Sequence, residues 1–219
     1  MRILSIALFL VASSLLGCAS GVPGTAASPS DPGPEPQEAE SLPVPTGYGT
    51  LLQDQISLRL QSGDLLIKVT PLDEGIIRLT APDTYERLRG LAAVHGPRAA
   101  RTAMGNQATL FLVSLFSYQP DVTYEPEDLL LVNRGLRLRP LGIAPITPSW
   151  GTQRLAQQET RMAVYAFDGG IEWEADLIAE YLHLRNESWQ DRVLPLLQAE
   201  RAKVRARAGG GSTRPARTF

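Results

Sequence analysis

The chain has 219 residues, a formal net charge of −2, 43% hydrophobic and 20% charged residues. That length suits one domain with tails, or at most two small domains. The near-neutral charge argues against a general nucleic-acid binder, which needs a basic excess to displace counterions. Cys18 is the only cysteine, so an intramolecular disulfide is excluded and the fold must stand on its apolar core.

The chain opens with Met1-Arg2, a short positive start. Ile3 to Leu16 follows as an apolar run broken only by Ser5, Ser13 and Ser14. The run matches the core of a signal peptide and falls short of the roughly 20 residues that a spanning helix needs. Leu15-Leu16-Gly17-Cys18 comes next. It resembles the lipobox of bacterial lipoproteins: a Leu three positions before the cysteine, a small residue before it, and the cysteine itself. The resemblance covers residues 1–18. It implies cleavage between Gly17 and Cys18 and lipidation of Cys18, with several acyl chains making a stable anchor. Ala19 follows the cysteine where sorting rules would place Asp for inner-membrane retention, which implies the outer membrane, facing the periplasm.

Residues 18–48 are rich in Ala, Ser, Gly, Pro and Glu and poor in large apolar side chains. Such a composition cannot offset chain entropy by burial and is expected to be a disordered tether. Asp31, Glu35, Glu38 and Glu40 make it acidic, with no basic residue among them. The far end is the reverse: Arg201, Lys203, Arg205, Arg207, Arg214 and Arg217 lie beyond Glu200 with no acidic residue. That end suits either an anionic surface or a solvated helix terminus whose dipole favours cations.

Between the tails, Ile56–Leu60 alternates apolar and polar, Ser62-Gly63-Asp64 signals a turn, and Leu65–Thr70 reads as the returning strand, ended by Pro71. Ile76–Thr80 fits a third short strand. Asp83 or Thr84 is positioned to cap a helix with Tyr85, Leu88, Leu91 and Ala92 on one face, stopped at Gly96-Pro97. Residues 49–105 are thus expected to form a small ββα unit.

Thr109–Tyr118, the most apolar stretch of the mature chain, predicts a central strand. Leu129–Val132 and Leu136–Leu138 flank Asn133-Arg134-Gly135, a hairpin signal. Pro140 to Gln158 reads as a long irregular connection carrying Trp150, which either contacts a partner or folds back as a plug. Thr160–Phe167 and Leu177–Leu184 predict two more strands, joined through Asp168-Gly169-Gly170. Short strands with regular turn signals over 106–187 point to a mainly β fold, an immunoglobulin-like β-sandwich. Ser188 is placed to cap a C-terminal helix over 188–207, with Pro195 inside it, followed by a disordered basic tail at 208–219. The body resembles lipoproteins of unknown function that carry an immunoglobulin-like domain. That resemblance is architectural and implies no activity.

The sequence offers little catalytic equipment. His95 and His183 stand alone, with no second ligand at metal spacing. Cys18 is consumed by lipid, and no nucleophile elbow or phosphate-binding glycine loop is present. Asp168, Glu172, Glu174 and Asp176 form the one weak calcium candidate, but Trp173 stands where an EF-hand needs glycine and Ala179 where it needs glutamate. A plain acidic hairpin explains the group equally. We therefore expect no catalytic residues and no cofactor. The expected role is a membrane-anchored, non-enzymatic binding or assembly module of the cell envelope. Its contacts would be the membrane, through the Cys18 lipid, and an envelope protein or polymer, not nucleic acid. An envelope enzyme or metal-dependent factor with a dispersed site, and a structural spacer between membrane and cell wall, stay open as alternatives.

Overall fold

The computed structural model describes residues 44–102 and 107–210. The expected export signal, Gly17, Cys18, the acidic part of the expected tether and the tail beyond Gly210 lie outside the described residues.

The first hairpin forms where the alternation places it. β1 (Leu58–Gln61) and β2 (Leu65–Pro71) pair antiparallel, with Leu58 opposite Val69 and Leu60 opposite Ile67, all four buried. The expected strand at Ile76–Thr80 is instead a helical turn, α1 (Glu74–Ile77). Asp73 dictates this, because its carboxylate accepts from the Ile76 N–H at 3.2 Å and caps the turn. Ile76 and Ile77 are both buried within this turn. Thr80 keeps one parallel bridge, to Leu51.

α2 (Pro82–Ala99) begins with Pro82 in its first turn and Ala81 as N-cap, not with Asp83 or Thr84. Tyr85 and Leu88 are buried on the expected face. The helix also runs through Gly96-Pro97 where a stop was expected. Gly96 is buried, and a Cβ there would sit 2.6 Å from Leu110 Cδ1, so the glycine serves close helix–sheet approach. Pro97 and Ala93, whose carbonyl loses its donor to the proline, both face solvent.

β3 (Thr109–Ser117) is the central strand that its apolar content predicts, pairing with β2 on one side. After β4 (Val122–Thr123), the hairpin of β5 (Leu129–Asn133) and β6 (Leu136–Leu138) turns through Arg134 and Gly135, at φ 54° and 76°. The connection expected to be irregular is largely built. It holds β7 (Gly142–Pro145), a 3₁₀ turn at Pro148–Thr152 and β8 (Arg154–Leu155), which pairs with β4. β9 (Thr160–Phe167) follows, pairing with β3 and β7. The single strand expected at Leu177–Leu184 is two, β10 (Leu177–Tyr181) and β11 (Leu184–Asn186), folded back at Leu182-His183.

The strands assemble as a five-stranded antiparallel sheet in the order β1-β2-β3-β9-β7 and a four-stranded one in the order β11-β10-β5-β6. Their facing sides supply one core: Ile67, Val113, Leu115 and Tyr165 from the first sheet, Leu129, Leu131, Ala179 and Tyr181 from the second. α2 covers part of the outer face of the larger sheet, over β7 and β9. The body is therefore a mainly β sandwich. Its ββα portion contributes β1 and β2 to the larger sheet and belongs to one compact unit with the rest.

The C-terminal helix starts with a π-helical turn (Trp189–Val193) and continues as α3 (Leu194–Gly210). The Leu194 N–H reaches back five residues to the Trp189 carbonyl. Pro195 has no N–H to continue an ordinary first turn, so the wide turn falls just ahead of it. Ser188 makes no side-chain cap; its hydroxyl bonds Asn186 Oδ1 at 2.8 Å.

Candidate functional site

The most heavily determined polar feature is where the chain enters the fold. Gly49 and Leu51 donate to the Arg78 and Leu79 carbonyls at 2.9 and 3.1 Å. A Cβ at Gly49 would lie 1.8 Å from the Leu79 oxygen, so only glycine fits. Between them, Thr50 donates its N–H and its hydroxyl to Glu200 Oε1 on α3, at 2.9 and 3.0 Å. Glu200 is 1% exposed. Lys203 and Arg207 reach its two oxygens at 3.2 Å each. Burial pushes this carboxyl's pKa up, but the Thr50 and Lys203 donors and the Lys203 charge outweigh it and hold it below the ordinary value. The next residue of the helix, Arg201, pairs with Glu174 at 2.8 Å, and Gln198 donates to the same carboxylate. The entering chain and the basic helix are thus bound together.

Trp150, the candidate partner contact, is the plug. It is 5% exposed and packs edge-on against Tyr124 and Tyr165, with centroids 5.4 and 6.1 Å away. Tyr124 donates to its carbonyl at 2.8 Å. Burial pushes the Tyr124 and Tyr165 phenols up. Arg161, 5% exposed, closes this end of the sandwich by donating to Glu159, Thr152 and the Ser149 carbonyl.

The acidic loop does not converge. Glu172 turns to Arg134 at 3.4 Å, and Glu174 turns to Arg201. Asn133 ties down the loop backbone at the Glu172 and Asp176 carbonyls. Asp168, Glu172, Glu174 and Asp176 form no metal-holding group, and none of three or more potential ligands occurs among the described residues.

His183 is exposed in the β10–β11 turn rather than within a strand, and His95 lies inside α2. His183 shares a surface pocket of about 150 Å³ with Ser62 and Asp64. Ser62 donates to Asp64 directly, which lowers the pKa of that carboxyl. Nucleophilic activation would need Ser62 bonded to the imidazole instead, and His183 makes no side-chain hydrogen bond among the described residues.

Three buried charges have no local signature in the sequence. Arg161 and Glu200 are described above; Glu180, 8% exposed, sits on the smaller sheet between Arg137 and Arg185. Each occupies a position of strand or helix periodicity where an apolar residue was as plausible. Some partners are near in sequence, as Glu159 is to Arg161 and Lys203 to Glu200, but Thr50 for Glu200 and Arg137 for Glu180 lie far outside any local pattern. No helix of the described residues is long and apolar enough to cross a membrane. In comparison with known proteins, no family model, no curated protein and no solved structure matches this chain.

Proposed function

We propose that this chain is a bacterial lipoprotein, anchored through lipid on Cys18 to the outer membrane on its periplasmic side. Its folded body acts as a non-enzymatic binding or assembly module of the cell envelope. The observation that carries the reading is the sequence Leu15-Leu16-Gly17-Cys18, placed directly after an apolar run and carrying the only cysteine. The way the body uses its polar groups supports the second half. Arg161, Glu180 and Glu200 are consumed by internal partners. Trp150 and the tyrosines around it fill the core. What is left for recognition is surface: hairpin turns, the open edge of β6 and the basic helix.

The test is fractionation of cells expressing the full chain or Cys18→Ser, with metabolic labelling by a palmitate analogue. The parent chain is expected in the outer-membrane fraction, labelled. The variant should lose the label and leave the membrane. A variant that remains in the membrane fraction through a high-salt wash would show that something other than the lipid holds it. Cross-linking in living cells then addresses the module itself: an envelope partner should be captured by the parent and lost in the released variant.

A further inference from the structure

We propose that the exposed face of α3 is a docking surface for anionic phospholipid, and that the helix lies along the membrane to which Cys18 is anchored. The inference rests on the lipoprotein reading above. It concerns a surface that the anchor alone does not require.

At 100° per residue, α3 divides into two faces. Leu194, Leu197 and Glu200 are buried, and Val204 packs against the core. The opposite arc presents Ala199, Ala202 and Ala206, all exposed. Exposed cations border this alanine strip on both sides, Arg205 along one edge and Lys203 along the other; behind them lie Arg201, paired with Glu174, and Arg207, paired with Glu200. Glu200, the only carboxylate on the helix, points inward and is 1% exposed. Arg205 is exposed and makes no ion pair with a described residue. Small side chains let the helix axis approach a headgroup layer closely, while long basic side chains on either flank reach phosphates. Alanines give little to bury in acyl chains, so the contact is electrostatic and salt-sensitive.

The second observation is where the chain outside the structure ends. Thr50 is bonded to Glu200 in the middle of this helix. The segment that leads back to Cys18 therefore enters beside α3. From Cys18 to Val44 there are about 26 residues, which even fully extended span no more than ~90 Å. A lipid on Cys18 holds the membrane permanently within reach of the helix, so a weak surface contact acts at high local concentration.

The experiment uses the chain from Ala19 to Phe219, without lipid, and sedimentation with vesicles. One set is phosphatidylethanolamine and phosphatidylglycerol at three to one; the other is phosphatidylcholine alone. Binding is expected to the anionic vesicles near about 50 mM salt, to be lost near about 500 mM, and to be absent on phosphatidylcholine. Arg205→Glu should weaken it about twenty-five-fold, since each charge at such a surface is worth about five-fold and two are changed. Arg205→Lys should retain it. Ala202→Glu, on the exposed strip, is a second test that leaves the Glu200 contacts untouched. An unchanged melting temperature shows that both variants fold.

Four results would overturn the proposal: no binding to anionic vesicles at low salt, binding indifferent to both glutamate variants, binding abolished by removing only residues 211–219, or binding to an anionic polysaccharide with none to vesicles. Palmitate labelling of the full chain separates the two readings. A labelled Cys18 with no vesicle binding sinks the surface and leaves the anchor. Vesicle binding with no label does the opposite.

Discussion

Glu200 receives both the backbone N–H and the hydroxyl of Thr50, a residue 150 positions earlier in the chain. The two ends of the described fold are therefore closed on each other by one buried carboxylate. Glu200→Gln keeps the shape but removes the charge. Charge-assisted hydrogen bonds of this kind contribute about 1.5–3 kcal/mol, so the variant should be about 2 kcal/mol less stable near pH 7. The pH dependence follows from the direction of the shift. A carboxyl held below 4.5 in the fold stabilises it above the unfolded value, and that contribution is lost as pH falls through the folded value. Denaturant midpoints for parent and variant should differ at neutral pH and converge as the pH falls below the ordinary carboxylate range. A gap that stays constant over that range would mean that the ionised carboxylate is not the source of the difference.

Gly49 is fixed by space rather than by φ. Its neighbour is a backbone oxygen, the Leu79 carbonyl, which cannot rotate away. Gly49→Ala should cost at least about 2 kcal/mol and lower the melting temperature accordingly. Gly63→Ala is the control, since nothing lies within 4 Å of a Cβ there. Equal melting temperatures for the two variants would show that the entering chain is not held as described.

These two residues mark the limit of what the sequence discloses. β3, β9 and the β5–β6 hairpin were legible because apolar runs and an Asn-Arg-Gly turn are local signals. Ile76–Thr80 misled because its residues favour strands, while the deciding group, the capping carboxylate of Asp73, lies outside the run. Gly96-Pro97 reads as a stop, yet the glycine's role is set by Leu110, a residue on β3. β7 was missed because Gly142–Pro145 has little strand propensity of its own. It is held by its pairing with β9 and by α2 over it. The proposed anchor rests on a signal of the opposite kind: a lipobox is read by enzymes in an unfolded segment, so the motif is local and does not depend on the fold.

Trp150 gives a direct measure of the core at the far end. Its ring is enclosed by Tyr124 and Tyr165, and no disulfide shares the load. Trp150→Ala should destabilise the protein by about 3–5 kcal/mol, a large share of the total for a domain of this size. Trp150→Phe should lose much less, because most of the apolar contact remains. Recovery of an envelope partner should follow the folded fraction in both variants. A Trp150→Ala protein that melts like the parent while losing its partner would restore Trp150 as a contact residue.

The β10–β11 turn tests strain. Leu182 sits at φ 51° and is 69% exposed, in a two-residue hairpin position where Asn and Gly are the usual occupants. A branched apolar side chain there gains little from burial and meets the steric penalty of the left-handed region, about 1–2 kcal/mol. Asn relieves much of that penalty by local hydrogen bonding without the unfolded-state entropy of Gly. Leu182→Asn should therefore raise stability by about 0.5–1 kcal/mol, and Leu182→Gly by less. Denaturant unfolding with an unchanged slope reads the difference directly. If Leu182→Asn instead lowers the midpoint, the Leu182 side chain is stabilising the turn through contacts that outweigh its backbone conformation. That outcome would direct attention to the neighbouring pocket formed by Ser62, Asp64 and His183, whose rim Leu182 provides.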